Sequence, residues 1–288
     1  MNGPRIHDLH THTHFSDGQL SPADLVARAA ARGVHVLALT DHDVTDGLPE
    51  ARAAADTLGL TLVNGVEISV TWNTQSVHVV GLGIDPAHTG LQEGLARLRD
   101  FRVWRADEIG RRLDKAGIPD ATAGARARSR CGLVSRTHFA HFLVEAGHAP
   151  DVRSVFRKFL VHGKPGHVPG QWAALEDAVG WIRDAGGQAV LAHPARYKMT
   201  ATRLKKLLSE FRELGGEAIE VASGSHSRDD VFRFAEIARR YGFMASTGSD
   251  YHGPQNFYTD LGALPPLPED CIPVWRDWPV ATDVLAPT

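Results

Sequence analysis

Short apolar runs that stop abruptly at a histidine or a carboxylate recur along this chain. The first is Ile6-His7-Asp8-Leu9-His10-Thr11-His12. In an extended segment side chains alternate between faces, so His10 and His12 point the same way, and Asp17 follows in the loop. Ser21-Pro22-Ala23-Asp24 predicts a helix start, with Ser21 as cap, Pro22 in the first turn and Asp24 at the positive end. That helix should run to about Arg32 and end at Gly33. Val34 to Thr40 reads as a buried strand stopping at Asp41-His42-Asp43, and Leu48 to Leu58 as a helix ended by Gly59. Leu60 to Val63 and Val66 to Ser69 make the next extended segment, which carries Glu67. Val77 to Leu82 follows with His78, and the short polar link from Trp72 to Ser76 predicts an antiparallel or tightly turned neighbour.

Past Asp85-Pro86 the pattern becomes helical and rich in arginine. Leu91 to Leu113, Arg136 to Gly147 and Val152 to Leu160 have helical spacing, whereas Gly117 to Arg130 is polar, small-residue and loop-like. No strand-like run occurs between about residues 88 and 160. This predicts a helical insertion at about 91–164, placed like a lid between two parts of a body at about 1–90 and 165–288.

The alternation then resumes. Helices are predicted over Leu175 to Ala185, Thr202 to Leu214 and Asp229 to Tyr241, each stopped by glycine. Between them lie Gln188 to Ala192 stopping at His193-Pro194, Ala218 to Val221 leading into Ala222 to His226, and Phe243 to Thr247 stopping at Gly248 to His252. From Pro265 a proline-rich tail should wrap the surface in extended form. Seven strands mostly separated by helices predict an α/β fold, a parallel barrel or an open sheet. In a β/α barrel the C-terminal rim is where sites are assembled, and that is where most of these residues fall. His78 comes early in its strand, which fits if that strand runs opposite to the others.

Composition narrows the chemistry. The 288 residues are 43% hydrophobic and 23% charged, ordinary for a soluble globular chain. No apolar run is long enough to span a bilayer and no basic-then-apolar signal opens the chain, so a cytoplasmic location is expected. The two cysteines, Cys131 and Cys271, have no ligand spacing, which argues against a disulfide framework or a thiolate zinc site. Sixteen histidines are many. Imidazoles and carboxylates without thiolates suit Mn²⁺, Fe²⁺ or Zn²⁺. The net charge of −3 conceals fifteen Lys/Arg against seven Asp/Glu between Arg97 and Lys164, beside an acidic remainder. That asymmetry suits an anionic substrate held between cationic side chains and metal ions.

The motifs His10-Thr11-His12, Asp17-Gly18, Thr40-Asp41-His42, Gly65-Val66-Glu67, His78 before Gly81, Ala192-His193-Pro194 and Gly248-Ser249-Asp250-Tyr251-His252 together resemble the PHP (polymerase and histidinol phosphatase) superfamily. Within it, Ser135 to Phe139, Lys164-Pro165-Gly166 and Glu220 to His226 look most like the bacterial phosphoesterases of nucleoside 3′,5′-bisphosphates, some also described as 5′-to-3′ exoribonucleases. The resemblance implies a distorted seven-stranded (β/α) barrel with three metal ions, usually manganese. His10, His12, Glu67 and Asp250 would hold the first, and Glu67 would bridge to a second completed by His78 and His193. Asp17, His42 and His252 would hold the third. A hydroxide bridging the ions is the implied nucleophile, with Asp17 and His226 at the catalytic centre. Asp41 either orients an imidazole from outside the ligand set or is a plain loop aspartate.

For the substrate, Arg99 and Arg102 are three apart, so on a helix they share a face. The resemblance adds Ser135 and Arg136 as phosphate contacts, and Arg196 and His226 are further rim candidates. Trp72, Trp104 and Trp172 can stack on a base but are expected in the core. The expected activity is release of the 3′-phosphate from a nucleoside 3′,5′-bisphosphate. Shortening of RNA or DNA from a phosphorylated 5′ end is the main alternative. Histidinol phosphatase and a non-catalytic, metal-stabilised binding module are weaker ones. The expected partners are a small anionic nucleotide or the 5′ end of short RNA or DNA, with no membrane and no obligate protein partner.

Overall fold

The computed structural model describes residues 5–254 and 259–278. Its strands are β1 (His7–Asp8), β2 (Val36–Leu39), β3 (Thr61–Trp72), β4 (Gln75–Leu82), β5 (Gln188–Leu191), β6 (Ala218–Ser223) and β7 (Met244–Gly248), hydrogen-bonded in sequence order. β1 to β3 and β5 to β7 are parallel, while β4 is antiparallel to both β3 and β5. After β7 the chain returns to β1. Leu9 N donates to Thr247 O at 3.0 Å, and Asp250 N to His10 O at 2.8 Å. The result is a nearly closed, distorted (β/α) barrel, as the pattern and the resemblance anticipated.

The reversal at β4 has a local cause. Asn73 and Thr74 adopt φ of 43° and 66°, so both central residues of the turn are left-handed, the geometry that matches a two-residue hairpin to strand twist. His78 therefore enters the rim from the opposite direction and still faces Glu67 on the neighbouring strand. β3 is one unbroken strand through Asn64-Gly65.

The helices are α1 (Pro22–Ala31), α2 (Leu48–Leu58), α3 (Thr89–Lys115), α4 (Ala121–Arg126), α5 (Arg136–Glu145), α6 (Val152–Val155), α7 (Leu175–Asp184), α8 (Ala201–Glu213) and α9 (Arg228–Tyr241). Ser21 caps α1 by accepting from Asp24 N at 3.1 Å, and Gly59 ends α2 in left-handed conformation. α3 spans 27 residues, about 40 Å at 1.5 Å per residue. Its first half contributes Leu91, Leu95 and Leu98 to the main core around the barrel. Its second half contributes Ala106, Ile109 and Leu113 to a separate core shared with α4, α5 and α6.

Two expectations for this region change. The stretch Gly117 to Arg130 contains α4, not only loop, because Ala121 and Ala125 are fully buried and Thr122 packs against Gly110 of α3. A Cβ at Gly110 would lie 1.6 Å from the Thr122 hydroxyl, so small residues here signal close helix packing. The helix expected over Val152 to Leu160 is α6 followed by a π-turn at Phe156–Leu160.

The tail from Pro265 is corrected as well. Through Trp278 it makes turns and pairs with the start of β7, with Ala245 N donating to Ile272 O at 2.7 Å and Val274 N to Ala245 O at 2.9 Å. Trp275 and Trp278 pack on the core beneath the strands, and Trp275 stacks on His7 with ring centroids 4.0 Å apart. Apolar side chains at this end of the barrel outweigh what an extended surface path would bury. Positions 279–288 lie outside the described residues.

Candidate active site

The strand ends converge on one buried cluster. His10 and His12 leave β1, His42 follows β2, Glu67 lies within β3, His193 follows β5, and Asp250 and His252 follow β7. Glu67 is central. Its Oε2 lies 3.3 Å from Nε2 of both His10 and His12, and its Oε1 lies 2.7 Å from His78 Nδ1 and 3.0 Å from His193 Nε2. Asp250 Oδ1 is 3.2 Å from His12 Nε2 and 3.6 Å from His10 Nε2. Asp17 Oδ1 is 3.2 Å from His252 Nε2 and 3.7 Å from His42 Nε2. Ligand atoms lie within 4.8 Å of one another in three groups: His10, His12, Glu67 and Asp250; His12, Asp17, His42 and His252; and His42, Glu67 and His78.

The close backbone approach needed here is visible at Gly248, where a Cβ would stand 2.2 Å from the Cβ of His10. His193 and Asp250 adopt φ of 28° and 54°, costly conformations for residues other than glycine.

Divalent ions fit this donor set. Among the described residues His10 Nε2, His12 Nε2, Asp17 Oδ1 and Glu67 Oε2 are buried with no hydrogen-bond partner. Unpaired buried polar atoms are costly, and here they point at each other's acceptors, an arrangement that a shared cation resolves. The titration behaviour of the protein groups tells the same story. Burial works against a charged His252, yet Asp17 and Asp250 overcome it and raise the imidazole to about 9. Burial likewise opposes charge on Glu67, but His78, His42 and His10 hold its carboxyl well below the usual range. Burial, with His252 and His42 nearby, pushes His12 down to about 3.

Outside the ligand groups, Glu220 was not singled out from sequence. It is buried within β6, where Oε1 meets His10 Nδ1 at 2.5 Å and Oε2 accepts from His193 N at 2.6 Å. Holding Nδ1 leaves Nε2 of His10 facing Glu67. Asp41 does not orient an imidazole. It accepts from Thr13 N at 2.7 Å, Thr13 Oγ1 at 2.5 Å and Ser16 Oγ at 2.6 Å, so it shapes the loop that carries Asp17.

Above the cluster lies a cavity of about 230 Å³, walled by the ligand groups below and the helical segment above. Arg102, Ser135, Arg136 and Arg196 line it, together with Arg105, which sequence reasoning missed, and Trp172, which it named for stacking but expected in the core. Arg102 donates to Asp43 Oδ2 at 2.7 Å and Ser69 Oγ at 2.9 Å. Arg105 donates twice to the Val168 carbonyl, at 3.2 and 3.0 Å. Trp172 faces both guanidiniums, at 5.0 and 5.2 Å, and Arg136 lies 5.5 Å from the Phe156 ring. Burial and the neighbouring Arg136 and Arg102 lower Arg105 to about 9. Burial and the neighbouring Arg102 and Arg196 also lower Arg136. Among the described residues Arg136 has no hydrogen bond or ion pair. Arg196 reaches Asp250 Oδ2 at 2.5 Å.

Two expected substrate residues are not brought into this cavity. Arg99 donates to the backbone carbonyl of Asp43 at 3.2 Å, one helical step behind Arg102. His226 has Nδ1 on the Val221 carbonyl of β6 at 2.9 Å and Nε2 accepting from Ala195 N at 3.3 Å, so its two ring nitrogens tie β6 to the 193–196 turn. Of the tryptophans, Trp72 is in the core and Trp104 is exposed. The larger cavity, about 820 Å³, lies at the opposite end of the barrel against the tail and is mostly apolar.

The description PHP domain matches residues 8–189. Over 94% of this chain and 95% of its own length, a 3′,5′-nucleoside bisphosphate phosphatase from Chromobacterium violaceum is 52% identical. This chain belongs to the PHP domain family. Another relative, the 5′-3′ exoribonuclease Rnm of Escherichia coli, is 44% identical over 95% of this chain and 94% of its own. A solved structure from Chromobacterium violaceum, described as an amidohydrolase with bound sulfate and no metal, superposes with a TM-score of 0.91. It is 51% identical and covers 94% of this chain and 95% of that one. Within the PHP domain match lie eight of the ligand-type and cavity groups on β1 to β4 and in the helical segment: His10, His12, Asp17, His42, Glu67, His78, Arg102 and Arg136.

Proposed function

We propose that this chain, a phosphoric ester hydrolase by family and relatives, releases the 3′-phosphate from nucleoside 3′,5′-bisphosphates. One observation carries the reading: a buried wall of cation-seeking ligands faces, across a cavity of about 230 Å³, a wall of guanidiniums. Arg136 meets no carboxylate there among the described residues. An amide substrate would leave Arg105 and Arg136 without a counter-charge, whereas a substrate with two phosphates gives one anion to the guanidiniums and the other to ions held at the opposite wall.

His10, His12, Glu67 and Asp250 would hold one ion, Glu67, His78 and His193 a second, and Asp17, His42 and His252 a third, with manganese the expected metal and iron or zinc alternatives. Ions bound there supply a water of lowered pKa and positive charge against the phosphoryl oxygens. Arg136 and Arg102 would bind the phosphate that is not cleaved, and Arg105 adds charge behind them. Arg196, paired with Asp250, would lie beside the phosphate that is cleaved. The 91–164 segment, with its own core, acts in this reading as the substrate-side cap.

A second reading is favoured by the exoribonuclease relatives. A clamped 5′-phosphate would set the register, and the next 3′ phosphoester would be cut. Manganese-loaded protein should be given a nucleoside 3′,5′-bisphosphate, a 5′-phosphorylated oligonucleotide and histidinol phosphate, with phosphate and nucleotide release followed. The bisphosphate should be turned over with the highest kcat/KM. Preference for the oligonucleotide would move the assignment to the second reading, and preference for histidinol phosphate would end both.

A further inference from the structure

Asp17 is held from above. Its Oδ2 accepts from Ser135 Oγ at 3.1 Å and from Thr137 Oγ1 at 3.0 Å, the N-cap and a first-turn residue of α5. Its other oxygen, Oδ1, has no hydrogen bond and faces His252 and His42. Asp17 lies on the loop after β1, about 120 residues earlier in the chain, so the helical segment and not the barrel decides which oxygen turns inward. Arg136, between the two hydroxyl residues, lines the substrate cavity. The turn itself is rigidly made. Ser135 Oγ accepts from Thr137 N at 3.0 Å, and His138 Nδ1 accepts from Ser135 N at 2.9 Å, closing a reciprocal cap.

We propose that Ser135 and Thr137 are positioning residues for the third ion, so that one turn of α5 both orients its Asp17 ligand and presents Arg136 to substrate. The inference rests on the three-ion reading above. Hydrogen bonds that orient a ligating carboxylate typically govern metal affinity by about ten- to a hundredfold. Two hydroxyls on one oxygen also keep Asp17 from chelating one ion with both oxygens or swinging away from His42 and His252. Thr137 is the cleaner of the two to test, because the Ser135 hydroxyl also caps the helix.

The experiment is manganese titration of metal-stripped protein, following ions bound per chain and the affinity of each site, for wild type, Thr137→Val, Thr137→Ser and Thr137→Ala. Wild type should bind three ions. Thr137→Val and Thr137→Ala should weaken the third by about tenfold or more while the other two keep their affinity, and Thr137→Ser should restore it. A general packing defect would weaken all sites together and would not be rescued by serine. Three ions bound by Thr137→Val and Thr137→Ala with wild-type affinity would overturn this inference alone. If wild type itself binds fewer than three, the three-ion reading fails and this inference with it. Should the valine variant not fold, the alanine variant decides.

Discussion

The barrel rim and the helical segment above it bury charge in opposite ways. At the rim, Glu67 is buried among imidazoles whose nitrogens cannot satisfy it without a proton or a cation, and Asp17 Oδ1 faces His252 and His42 with no hydrogen bond of its own. In the helical segment, Arg105 and Arg136 are held by a backbone carbonyl and by aromatic faces, not by carboxylates. One wall waits for cations and the other for anions. A carboxylate ladder between them would have neutralised both and left no reason for a ligand to bind. Asp43 is the exception that shows the rule: it takes Arg102 and lies at the seam where α3 passes from the barrel core to the second core.

The largest break in this comparison comes from the rim. Glu67→Gln keeps shape but removes the charge that all three imidazole sets approach. We expect turnover to fall by orders of magnitude and bound metal to drop, with the circular dichroism spectrum unchanged, since rim residues contribute little to barrel stability. Normal metal content with normal turnover would remove Glu67 from the centre.

Next in size is the opposite wall. Arg136→Ala should lose about 1.5–3 kcal/mol of a charge-assisted contact, or roughly ten- to over a hundredfold in kcat/KM, on a 3′,5′-bisphosphate. The same change should cost little on a nucleoside 3′-monophosphate, which lacks the clamped group. An unchanged ratio of the two kcat/KM values in the variant would make Arg136 a surface charge and not a clamp.

How much of this contrast was legible in sequence differs between the walls. The rim was, because strand periodicity puts His10 and His12 on one face and the apolar runs stop where the barrel ends, while the grouping of His10, His12, Glu67 and Asp250 came from the family resemblance. Even the odd direction of β4 was signalled by the short polar link before His78. The upper wall was less so. Spacing placed Arg99 beside Arg102, and both do reach Asp43, but Asp43 has φ of 56°, and its backbone carbonyl holds Arg99 short of the cavity. Arg105 escaped notice, and Trp172 was expected in the core, because cation–ring contacts across 67 residues have no periodic signature. Glu220 was hidden because a strand-interior acid reads as one of many; only its distance to His10 Nδ1 gives it meaning.

A finer test lies just outside the ligand set. Glu220→Gln retains an acceptor for one contact but cannot hold both His10 Nδ1 and His193 N with a full charge. Manganese affinity should weaken by about tenfold, with the fold retained. No change in affinity would mean that His10 is aimed by the backbone alone.

The smallest effect is the pH dependence of stability without ions, and it separates the walls by sign. In the stripped protein His252 sits near 9 against 6.5 when unfolded, because Asp17 and Asp250 outweigh its burial. His10 and His42 are also raised, by Glu220 and Glu67 foremost, against burial. A raised histidine contributes stability that is fully present below 6.5 and is lost as pH rises through its folded value. Between pH 6.5 and 9 the melting temperature of chelator-treated protein should therefore fall. In the helical segment the shifts run the other way: burial pushes His138 below 6.5 and lowers Arg105 to about 9, so neither contributes stability that a rising pH removes in that window. With ions bound, cations replace those protons, so the melting temperature should stay level and the gap between loaded and stripped protein should widen with pH. A stripped protein whose melting temperature is flat or rising from 6.5 to 9 would show that the rim carboxylates are satisfied without protons or metal, and the contrast between the two walls would fail at its root.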